Sequence, residues 1–473
     1  MSTMNCKNAS AGAVVQLLAK GSIDSVLLSG SGSSPFRASH FKIQSWAGSY
    51  EVVSCTQGSA PALNFSNTTE LKFTFQRTGD LIRHLYVKFQ LPGLANVNGD
   101  GLEIVDAAEV DAYGDAGAVA ATADAAVPYY ANGVGYQLIE CATISFGSTV
   151  IDNLTTELLF ALEELNGSAS KKLGLERMVG LGSDEGQLRR RSRRQQNLYV
   201  PMPFYFGSEA HGTALPIVAL QFHEVSLSVT VRAIRDVIVN YDLAMTRARP
   251  AGDGQDIVRI GNGTTTAADF VSIADASFHA QAEALYVYLE QEERVRFASV
   301  KHEVLIPQYQ MQKINITPGT AEQHKLQFNH AVSALIMMIP KANSAEGRLD
   351  FSGHRDSFDM QTSGPITKMH LSLNNTDRTQ QDKEASFFSH VVPYETCEAV
   401  PNSDVYLMSF ALSPFDPVQP SGHLNMSRVD DPYLHFSTSG SSGVGNQMLV
   451  FARSWNVLRI AVGISGMTYT YNP

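Results

Sequence analysis

The sequence predicts an all-β protein built as an antiparallel sandwich, and two observations carry this prediction. Apolar residues recur at every second position in many short segments, and clusters of Gly, Pro and Asn separate these segments. The composition is that of a globular chain, with 44% hydrophobic and 17% charged residues among 473. A chain of this length can bury a sizeable core without disulfide or metal staples.

The alternating segments appear in order along the chain. The first two are ELKFTFQ at 70–76 and HLYVKFQL at 84–91, and the turn signal Thr78-Gly79-Asp80 lies between them. Alternation places one set of side chains in a core and the other in solvent, so each segment is predicted to be a half-buried strand. The same period recurs at 225–231, 285–289 and 369–373.

Two later segments are apolar on both faces, DVYLMSFAL at 404–412 and NVLRIAVGI at 456–464. A strand of this kind lies inside a sandwich or between two packed units. The sequence leaves open whether these strands contact another subunit or pack two parts of the same chain together.

Helices are predicted to be a minority inserted between strands. TTELLFALEELNG, at 155–167, carries three leucines on one stripe, a Thr placed to cap its start and a Gly just after its end. A second helix is predicted at 169–179. Two long irregular stretches, beginning at 95 and at 239, are predicted to be surface loops. The first holds seven acidic residues and no Lys or Arg before residue 128, so its burial would be costly.

Charge and cysteine content limit the function classes. The net charge of −11 disfavours non-specific binding of nucleic acid, because phosphate repels an acidic surface. The run RRRSRR at Arg189–Arg194 is a local exception that suits nucleic acid, an acidic partner, a solvated loop or a subunit contact.

Four scattered cysteines fit a reducing compartment. The first residues show no secretory signal, and no apolar run approaches the length of a bilayer, so we expect a soluble cytoplasmic product.

Catalytic motifs are absent from the sequence, which has no GxxxxGK[ST], GxSxG, GxGxxG or HExxH. LDFSGHRDSFDM is the strongest cluster of chemically active residues, and it suits a metal site, a proton-transfer site or a polar loop with internal ion pairs. Its members are Asp350, His354, Arg355, Asp356 and Asp359. We expect no catalytic, cofactor-binding or metal-binding residues and no cofactor. The alternative is a carbohydrate-binding or carbohydrate-cleaving β-sandwich that uses Asp350, Asp356 and Asp359.

The segment QPSGHLNMSRVDD, at 419–431, begins with a turn and continues into a short alternating stretch in which Arg428 and Asp430 are a candidate ion pair. It resembles the QPSGxxNxSRxD signature of the double jelly-roll major capsid proteins of nucleocytoplasmic large DNA viruses. Further segments resemble the family in the same order along the chain. They are QRTGDLIRHLYVKFQLP, NGVGYQLIECATISFGSTVIDNL, NLYVPMPFYF with ALPIVALQFHEVSLSV, LYVYLEQEERVRFASVKHEVLIPQ, KLQFNH and WNVLRIAVGISGMTYTY. The chain departs from the family at LTTELLF, where a Trp is common, and at Phe146-Gly147, where the family has a GG turn.

This resemblance implies a specific architecture. The fold would be two tandem antiparallel eight-stranded jelly-roll sandwiches, a double jelly roll, with short inserted helices and long surface loops. We expect an N-terminal arm at 1–40 and a first jelly roll at 41–298, which includes the exposed loop 95–131 and the helical insertion 155–180. The second jelly roll is expected at 299–473.

The resemblance also implies a function. The chain would be a major capsid protein, a structural protein and not an enzyme. Its homotrimer would form a pseudo-hexagonal capsomer that tiles the icosahedral capsid of a large double-stranded DNA virus. We expect it in the virion, after assembly in the host cytoplasm. Its partners would be other copies of itself, neighbouring capsomers, minor capsid and penton proteins and an inner membrane layer, without sequence-specific binding of nucleic acid.

Overall fold

The structure is a computed structural model, and it describes only part of the chain. The described ranges are 43–56, 61–64, 67–94, 129–182, 185–192, 194–208, 210–239, 278–341, 348–351, 364–381, 383–440, 445–461 and 463–468. The predicted arm at 1–40 and nearly all of both predicted long loops lie outside these residues. The described residues from Trp46 onward belong to one compact unit.

The described residues before 300 supply ten strands and five α-helices. The strands are β1 (Trp46–Cys55), β2 (Thr69–Thr74), β3 (Leu81–Leu91), β4 (Tyr129–Tyr130), β5 (Ile139–Phe146), β6 (Thr149–Thr155), β7 (Gln196–Pro201), β8 (Val225–Val231), β9 (Ile238–Val239) and β10 (His279–Leu289). The helices are α1 (Val134–Leu138), α2 (Thr156–Asn166), α3 (Ala169–Val179), α4 (Glu185–Ser192) and α5 (Gln291–Ser299). Helices α2 and α3 confirm the two helices predicted from sequence.

Eight of these strands form the first sandwich, in the antiparallel order β6-β5-β8-β2-β1-β10-β3-β7. The path folds in two at β1, because residues 46–53 of β1 pair with β10 while Ser54 and Cys55 pair with β2. Alternate side chains point inward, as predicted. Leu71 and Phe73 of β2 and Val87 and Phe89 of β3 are at most 1% exposed. The short strands β4 and β9 pair separately with each other.

The described residues after 300 supply ten strands and one α-helix. The strands are β11 (His302–Asn315), β12 (Ala321–Lys325), β13 (Ala331–Met338), β14 (Ile366–Leu373), β15 (Thr376–Asp377), β16 (Tyr406–Ser409), β17 (Leu424–Asn425), β18 (Pro432–Thr438), β19 (Gln447–Ala461) and β20 (Ile464–Met467). Helix α6 (Val392–Thr396) follows a wider helical turn at Phe387–Val391.

The second sandwich repeats the strand order of the first. Its sheets run β11-β19-β13-β16 and β12-β18-β14-β15. If the eight main strands of each sandwich are numbered along the chain, both sandwiches read 1-8-3-6 in one sheet and 2-7-4-5 in the other. This is the arrangement of a jelly roll, which nests two Greek keys. The prediction of two tandem eight-stranded jelly rolls is confirmed.

Candidate assembly surfaces

The strands that are apolar on both faces pack the two sandwiches against each other. Leu407 of β16 and Phe451 of β19 lie in the core shared with the first sandwich, whereas their neighbours Tyr406 and Val450 lie in the core of the second sandwich. Strand β13 alternates in the same way. Both faces of β16 and of residues 448–452 of β19 are therefore covered within one chain, whereas the segment 456–464 buries one face and leaves Arg459 and Ile464 exposed. We call the contact between the sandwiches the inter-sandwich interface.

The first sandwich contributes an edge and a helix to this interface. Strand β6 and the 3-10 turn at Tyr205–Gly207 contact β11. Near the end of α2, the Leu165 carbonyl accepts a hydrogen bond from the Ala399 N–H at 3.4 Å, and Glu164 Oε2 accepts one from the Asn402 N–H at 2.8 Å. The 1-8-3-6 sheet of the second sandwich thus lies against the β6 and α2 side of the first.

A row of buried amides and hydroxyls lies on β11 and β19, and one of its bonds crosses to the first sandwich. Asn456 Nδ2 donates to Gln308 Oε1 at 2.9 Å, and Gln308 Nε2 donates to the Ile151 carbonyl of β6. Gln310 Nε2 donates to Ser454 Oγ at 3.1 Å within the second sandwich. Buried polar groups are costly unless they are paired, and the bond from Gln308 to Ile151 links the two sandwiches directly.

Arg453 is the largest side chain in this row and is only 2% exposed. Its guanidinium lies 4.5 Å from the ring centroid of Trp455, and its Nη1 and Nη2 donate to Ser333 Oγ at 3.2 Å and to the Asp416 carbonyl at 3.1 Å. Burial lowers the pKa of Arg453 from its ordinary value. The cation is held directly by an aromatic face and neutral oxygens, and the carboxylates of Asp416 and Asp152 favour its charged form from further away.

The RTGDL segment that contributed to the family resemblance organises the joint between the sandwiches. The Asp80 carboxylate is 1% exposed and accepts hydrogen bonds from the Leu289 N–H at 2.8 Å and from Arg294 Nε at 2.6 Å. It therefore ties the start of β3 to the end of β10 and to helix α5. Gly79 is required beside it, because a Cβ there would lie 2.9 Å from Cβ of Tyr286.

The QPSG segment stabilises the second sandwich through backbone contacts. Gly422 has a φ of 155°, and a Cβ there would lie 2.6 Å from the Phe410 carbonyl oxygen. Asn425 Oδ1 accepts from the Ser427 N–H at 3.1 Å, and Ser427 Oγ accepts from the His330 N–H at 2.9 Å. The predicted alternating strand is reduced to the two residues of β17, because a 3-10 turn follows at once.

The candidate ion pair between Arg428 and Asp430 does not form in the described structure. Asn374 Oδ1 accepts from the N–H groups of Asp430 and Asp431, both at 3.1 Å, and this contact fixes the backbone there. The neighbouring carboxylate of Asp431 instead pairs with Lys325 at 2.6 Å. The ion-pair prediction was therefore wrong, since the pair that forms has a different cation and a different carboxylate.

One broad sheet face remains uncovered by the described residues of the chain. On the outward side of the β7-β3-β10-β1 sheet, Trp46, Tyr50 and Val52 are 61%, 56% and 50% exposed. The Tyr50 ring centroid lies 6.2 Å from that of Tyr86. We call these four residues the aromatic face. The corresponding sheet of the second sandwich is the one covered at the inter-sandwich interface, so the aromatic face is the equivalent surface of the first sandwich and is left exposed by the described residues.

The basic run is packed into the fold where it is described. Arg189 and Arg191 are half-buried on α4. The Arg189 guanidinium lies 5.5 Å from the Tyr129 ring centroid, and Arg191 Nη1 donates to the Leu181 carbonyl. Arginines also suit the last turn of a helix, where the carbonyl ends carry partial negative charge. These contacts are made within the chain, which none of the four interpretations from sequence specified.

The acidic cluster with His354 falls largely outside the described residues. Its first member, Asp350, pairs with Lys341 at 3.4 Å, while His354, Arg355, Asp356 and Asp359 are not described. Within the described ranges, no three His, Cys, Asp or Glu side chains are grouped to hold a metal ion. Among the helices that the structure describes, none is both long and apolar enough to cross a bilayer.

Family models of capsid proteins match both halves of the chain. A family model described as "Major capsid protein N-terminus" matches residues 49–290. A second model, described as "Large eukaryotic DNA virus major capsid protein", matches residues 293–466. The two matches fall on the first and the second sandwich respectively.

Individual relatives agree with these models. The major capsid protein of Pyramimonas orientalis virus is 28% identical over 360 residues, which cover 71% of this chain and 77% of that protein. That of Paramecium bursaria Chlorella virus 1 is 30% identical over 322 residues, covering 58% and 67%. Both are capsid proteins and not carbohydrate-active proteins, so the carbohydrate alternative loses its support.

Solved structures show the same fold. The PBCV-1 VP54 structure, which was fitted into a reconstruction of the virophage Sputnik, aligns with a TM-score of 0.68 and 21% identity. The alignment covers 93% of this chain and 100% of VP54. The Faustovirus major capsid protein aligns with a TM-score of 0.63 and 14% identity, over 91% of this chain and 93% of its own.

Proposed function

Because the chain belongs to the major capsid proteins of large eukaryotic DNA viruses, we propose that it acts as a homotrimer that forms a pseudo-hexagonal capsomer. The observation that carries this proposal is the repeated strand order of the two sandwiches. Two similar units in one chain can make the same contact twice, once within the chain and once with the next chain.

The inter-sandwich interface supplies the pattern for this second contact. Within the chain, the β6 and α2 side of the first sandwich meets the 1-8-3-6 sheet of the second. In the second sandwich, the parts equivalent to β6 and α2 are β15 and the helical segment 387–396. In the first sandwich, the sheet equivalent to the covered one carries the aromatic face. Repeating the contact between chains places segment 387–396 of one copy on the aromatic face of the next.

Exposure of apolar side chains supports this pairing. The aromatic face exposes Trp46, Tyr50 and Val52, and segment 387–396 exposes Tyr394, which is 79% accessible. Exposed aromatic residues of this kind are typical anchors of permanent interfaces. The two surfaces differ, so the contact is head-to-tail, and a head-to-tail contact yields a closed ring when its rotation returns to the start. Three chains with two sandwiches each give the six positions of a pseudo-hexagon.

The mass of the protein in solution tests the trimer. The wild-type chain should sediment at about 154 kDa, three times the 51.4 kDa of one chain. Tyr50→Glu places an unpaired charge in the proposed contact, and we expect that variant to sediment as a monomer. Phe222→Glu is the matched control, since Phe222 is 71% exposed just before β8, which belongs to the opposite sheet of the first sandwich. A monomeric wild type, or equal behaviour of the two variants, would contradict the proposal.

We also propose the wider assembly that the family implies. The capsomers would tile an icosahedral shell together with neighbouring capsomers, minor capsid and penton proteins, over an inner membrane layer, after assembly in the host cytoplasm. The first jelly roll would span 41–298 and the second 299–473, and the role would be structural and not enzymatic. Electron microscopy of infected cells and of purified particles tests these statements through the site of assembly and the presence of three-fold capsomers.

A further inference from the structure

A deep cleft of about 770 Å³ lies between the two sandwiches, beside the inter-sandwich interface. Helix α2 and seven residues between Pro201 and Ala210 line it on the first sandwich. Strand β11, residues 395–398 and residues 412–418 line it on the second. Its volume is in the range of sites that hold a small ligand or a few residues of peptide. We call it the inter-sandwich cleft.

The lining of this cleft includes apolar walls and acidic groups. Its walls include Pro201, Pro203, Phe204, Pro307 and Phe415. Leu412 and Val418 at its lining are 79% and 54% exposed, so the apolar surface continues outward to solvent. Exposed apolar groups that continue into a concave surface are characteristic of a binding site.

The described lining residues include four carboxylates and one cation, and the cation is itself buried. Glu395 and Glu398 are exposed, while Glu163 and Asp416 are half-buried, and the cation is Arg453. The N–H groups of Gln419 and Val418 donate to Asp416 and lower the pKa of its carboxyl, which keeps it anionic. Burial raises the pKa of Glu163, so a cation placed beside it would favour its charged form. The electrostatic preference of the accessible lining is for positive charge.

Two buried hydrogen-bond donors in the lining have no partner in the part of the chain that the structure describes. They are the Tyr205 hydroxyl and Arg453 Nε, on residues that are 5% and 2% exposed. Burial raises the pKa of Tyr205, so its hydroxyl remains a donor. Buried donors are nearly always paired in folded proteins, and an orphaned one costs free energy. A bound group with oxygen acceptors would satisfy them.

We propose that the inter-sandwich cleft binds an extended, basic peptide segment of a partner protein. Backbone carbonyls of the segment accept from Tyr205 and Arg453, its apolar side chains pack on the proline and aromatic walls, and its Lys or Arg side chains face the four carboxylates. An extended peptide offers these three features together, with carbonyls at regular intervals along its length. Glu395 lies in segment 387–396, which the proposed ring would cover, so binding is measured on the Tyr50→Glu variant as well as on the wild type.

Fluorescence anisotropy with two labelled octapeptides tests the charge preference. One probe is Lys-Ser-Leu-Lys-Ser-Leu-Lys-Ser, and the other has Glu in place of each Lys. The Lys probe should bind, and the double variant Glu395→Gln/Glu398→Gln should weaken it about fivefold at low salt. Glu290→Gln/Glu292→Gln removes the same charge from the joint between the sandwiches and should leave binding unchanged. Equal effects of the two double variants, or tighter binding of the Glu probe, would overturn the proposal.

Tyr205→Phe tests the buried donor separately from charge. Removal of this hydroxyl should weaken the Lys probe about threefold to tenfold, the effect of one lost hydrogen bond. The same variant should keep or raise the Tm of the free protein, because it deletes a buried polar group without a partner. Unchanged probe affinity in Tyr205→Phe would mean that the residue only packs, and the proposed binding mode would be wrong.

Discussion

Asp80 is one carboxylate that holds three parts of the chain together where the two sandwiches join. It accepts from the Leu289 N–H and from Arg294 while it is itself almost fully buried. Its role differs from that of Asp431, which pairs with Lys325 at the same distance of 2.6 Å but half in solvent. The two ion pairs have the same N–O distance but contribute differently to stability. Burial, and not the distance, decides the free-energy cost of losing each pair.

The comparison of these two aspartates is testable. Asp80→Asn should lower the free energy of unfolding by about 1.5–3 kcal/mol, since it weakens charge-assisted hydrogen bonds in a buried site. Asp431→Asn is the control and should change stability little, because solvent already screens that pair. Urea unfolding of both variants measures the difference, and similar losses in the two would refute the role assigned to Asp80.

A pair of histidines on the second sandwich links stability to pH. The rings of His370 and His435 stack with centroids 4.3 Å apart, and His435 Nε2 bonds with Ser372 Oγ at 2.9 Å. Burial, and then the neighbouring His370, lower the pKa of His435 from its ordinary 6.5. The unfolded chain therefore binds a proton more readily than the folded one, and the resulting stability is present above pH 6.5 and lost as pH falls through the lower folded pKa.

This linkage predicts a change in the pH profile of one variant. The Tm of the wild type should fall as pH drops below 6.5, and His435→Gln should fall less steeply over the same range because it has no imidazole to protonate there. Calorimetry at a series of pH values on both sides of the ordinary histidine pKa of 6.5 measures the two slopes. Parallel slopes for wild type and variant would show that this histidine does not contribute.

The residues of the cleft show where sequence reasoning reaches its limit. Arg453 carried a signal, since it interrupts the apolar run QMLVFARSWNVL, and a lone cation in such a run needs a special partner. Tyr205 carried none, because an aromatic residue in NLYVPMPFYF is ordinary core composition. Its hydroxyl is left without a partner by the way the second sandwich packs beside the first. No local sequence pattern predicts that packing.

At the scale of elements, period-two alternation predicted the long strands well. The segments 70–76 and 84–91 became β2 and β3 because a half-buried strand is the structure that fits their pattern. Alternation did not predict β15, and it predicted a longer strand than β17; both have two residues each and are held by tertiary pairing. It also could not say what covers the two-faced strands β16 and β19, since a doubly apolar pattern does not identify the partner of either face.

The turn at the start of the QPSG segment gives a prediction at this scale. Gly422→Ala should destabilise the protein by about 1–3 kcal/mol, because the new Cβ would meet the Phe410 carbonyl oxygen at 2.6 Å. Gly466→Ala in β20 is the control, since a Cβ there meets nothing within 4 Å. Thermal unfolding compares them, and a harmless Gly422→Ala would show that the turn tolerates a side chain.

At the scale of the whole molecule, the two sandwiches share one apolar core across their interface. Side chains of β13, β16 and β19 lie in that core together with those of the first sandwich. The second sandwich is therefore not an independent unit, because its 1-8-3-6 sheet would expose an apolar face without the first. The strand order that identifies each jelly roll was predictable through the family resemblance, but the sharing of the core was not.

A shared core predicts cooperative unfolding. Calorimetry of the chain should show one transition for both sandwiches, and Phe451→Ala, which opens a cavity in the shared core, should lower that single transition by about 3–5 kcal/mol of stability. Val450→Ala on the opposite face of β19 is a useful comparison within the second sandwich alone. Two separate transitions in the wild type would mean that the interface is too weak to couple the sandwiches.

Helix α5 has a consequence for how the proposed ring responds to dilution. This helix connects the two sandwiches of one chain. Every second contact between sandwiches in the ring is therefore intramolecular, and its formation does not depend on protein concentration. Only the remaining joints obey mass action. A dissociating ring should therefore release intact two-sandwich pieces and never single ones, and reassembly should begin from partners that are already half aligned.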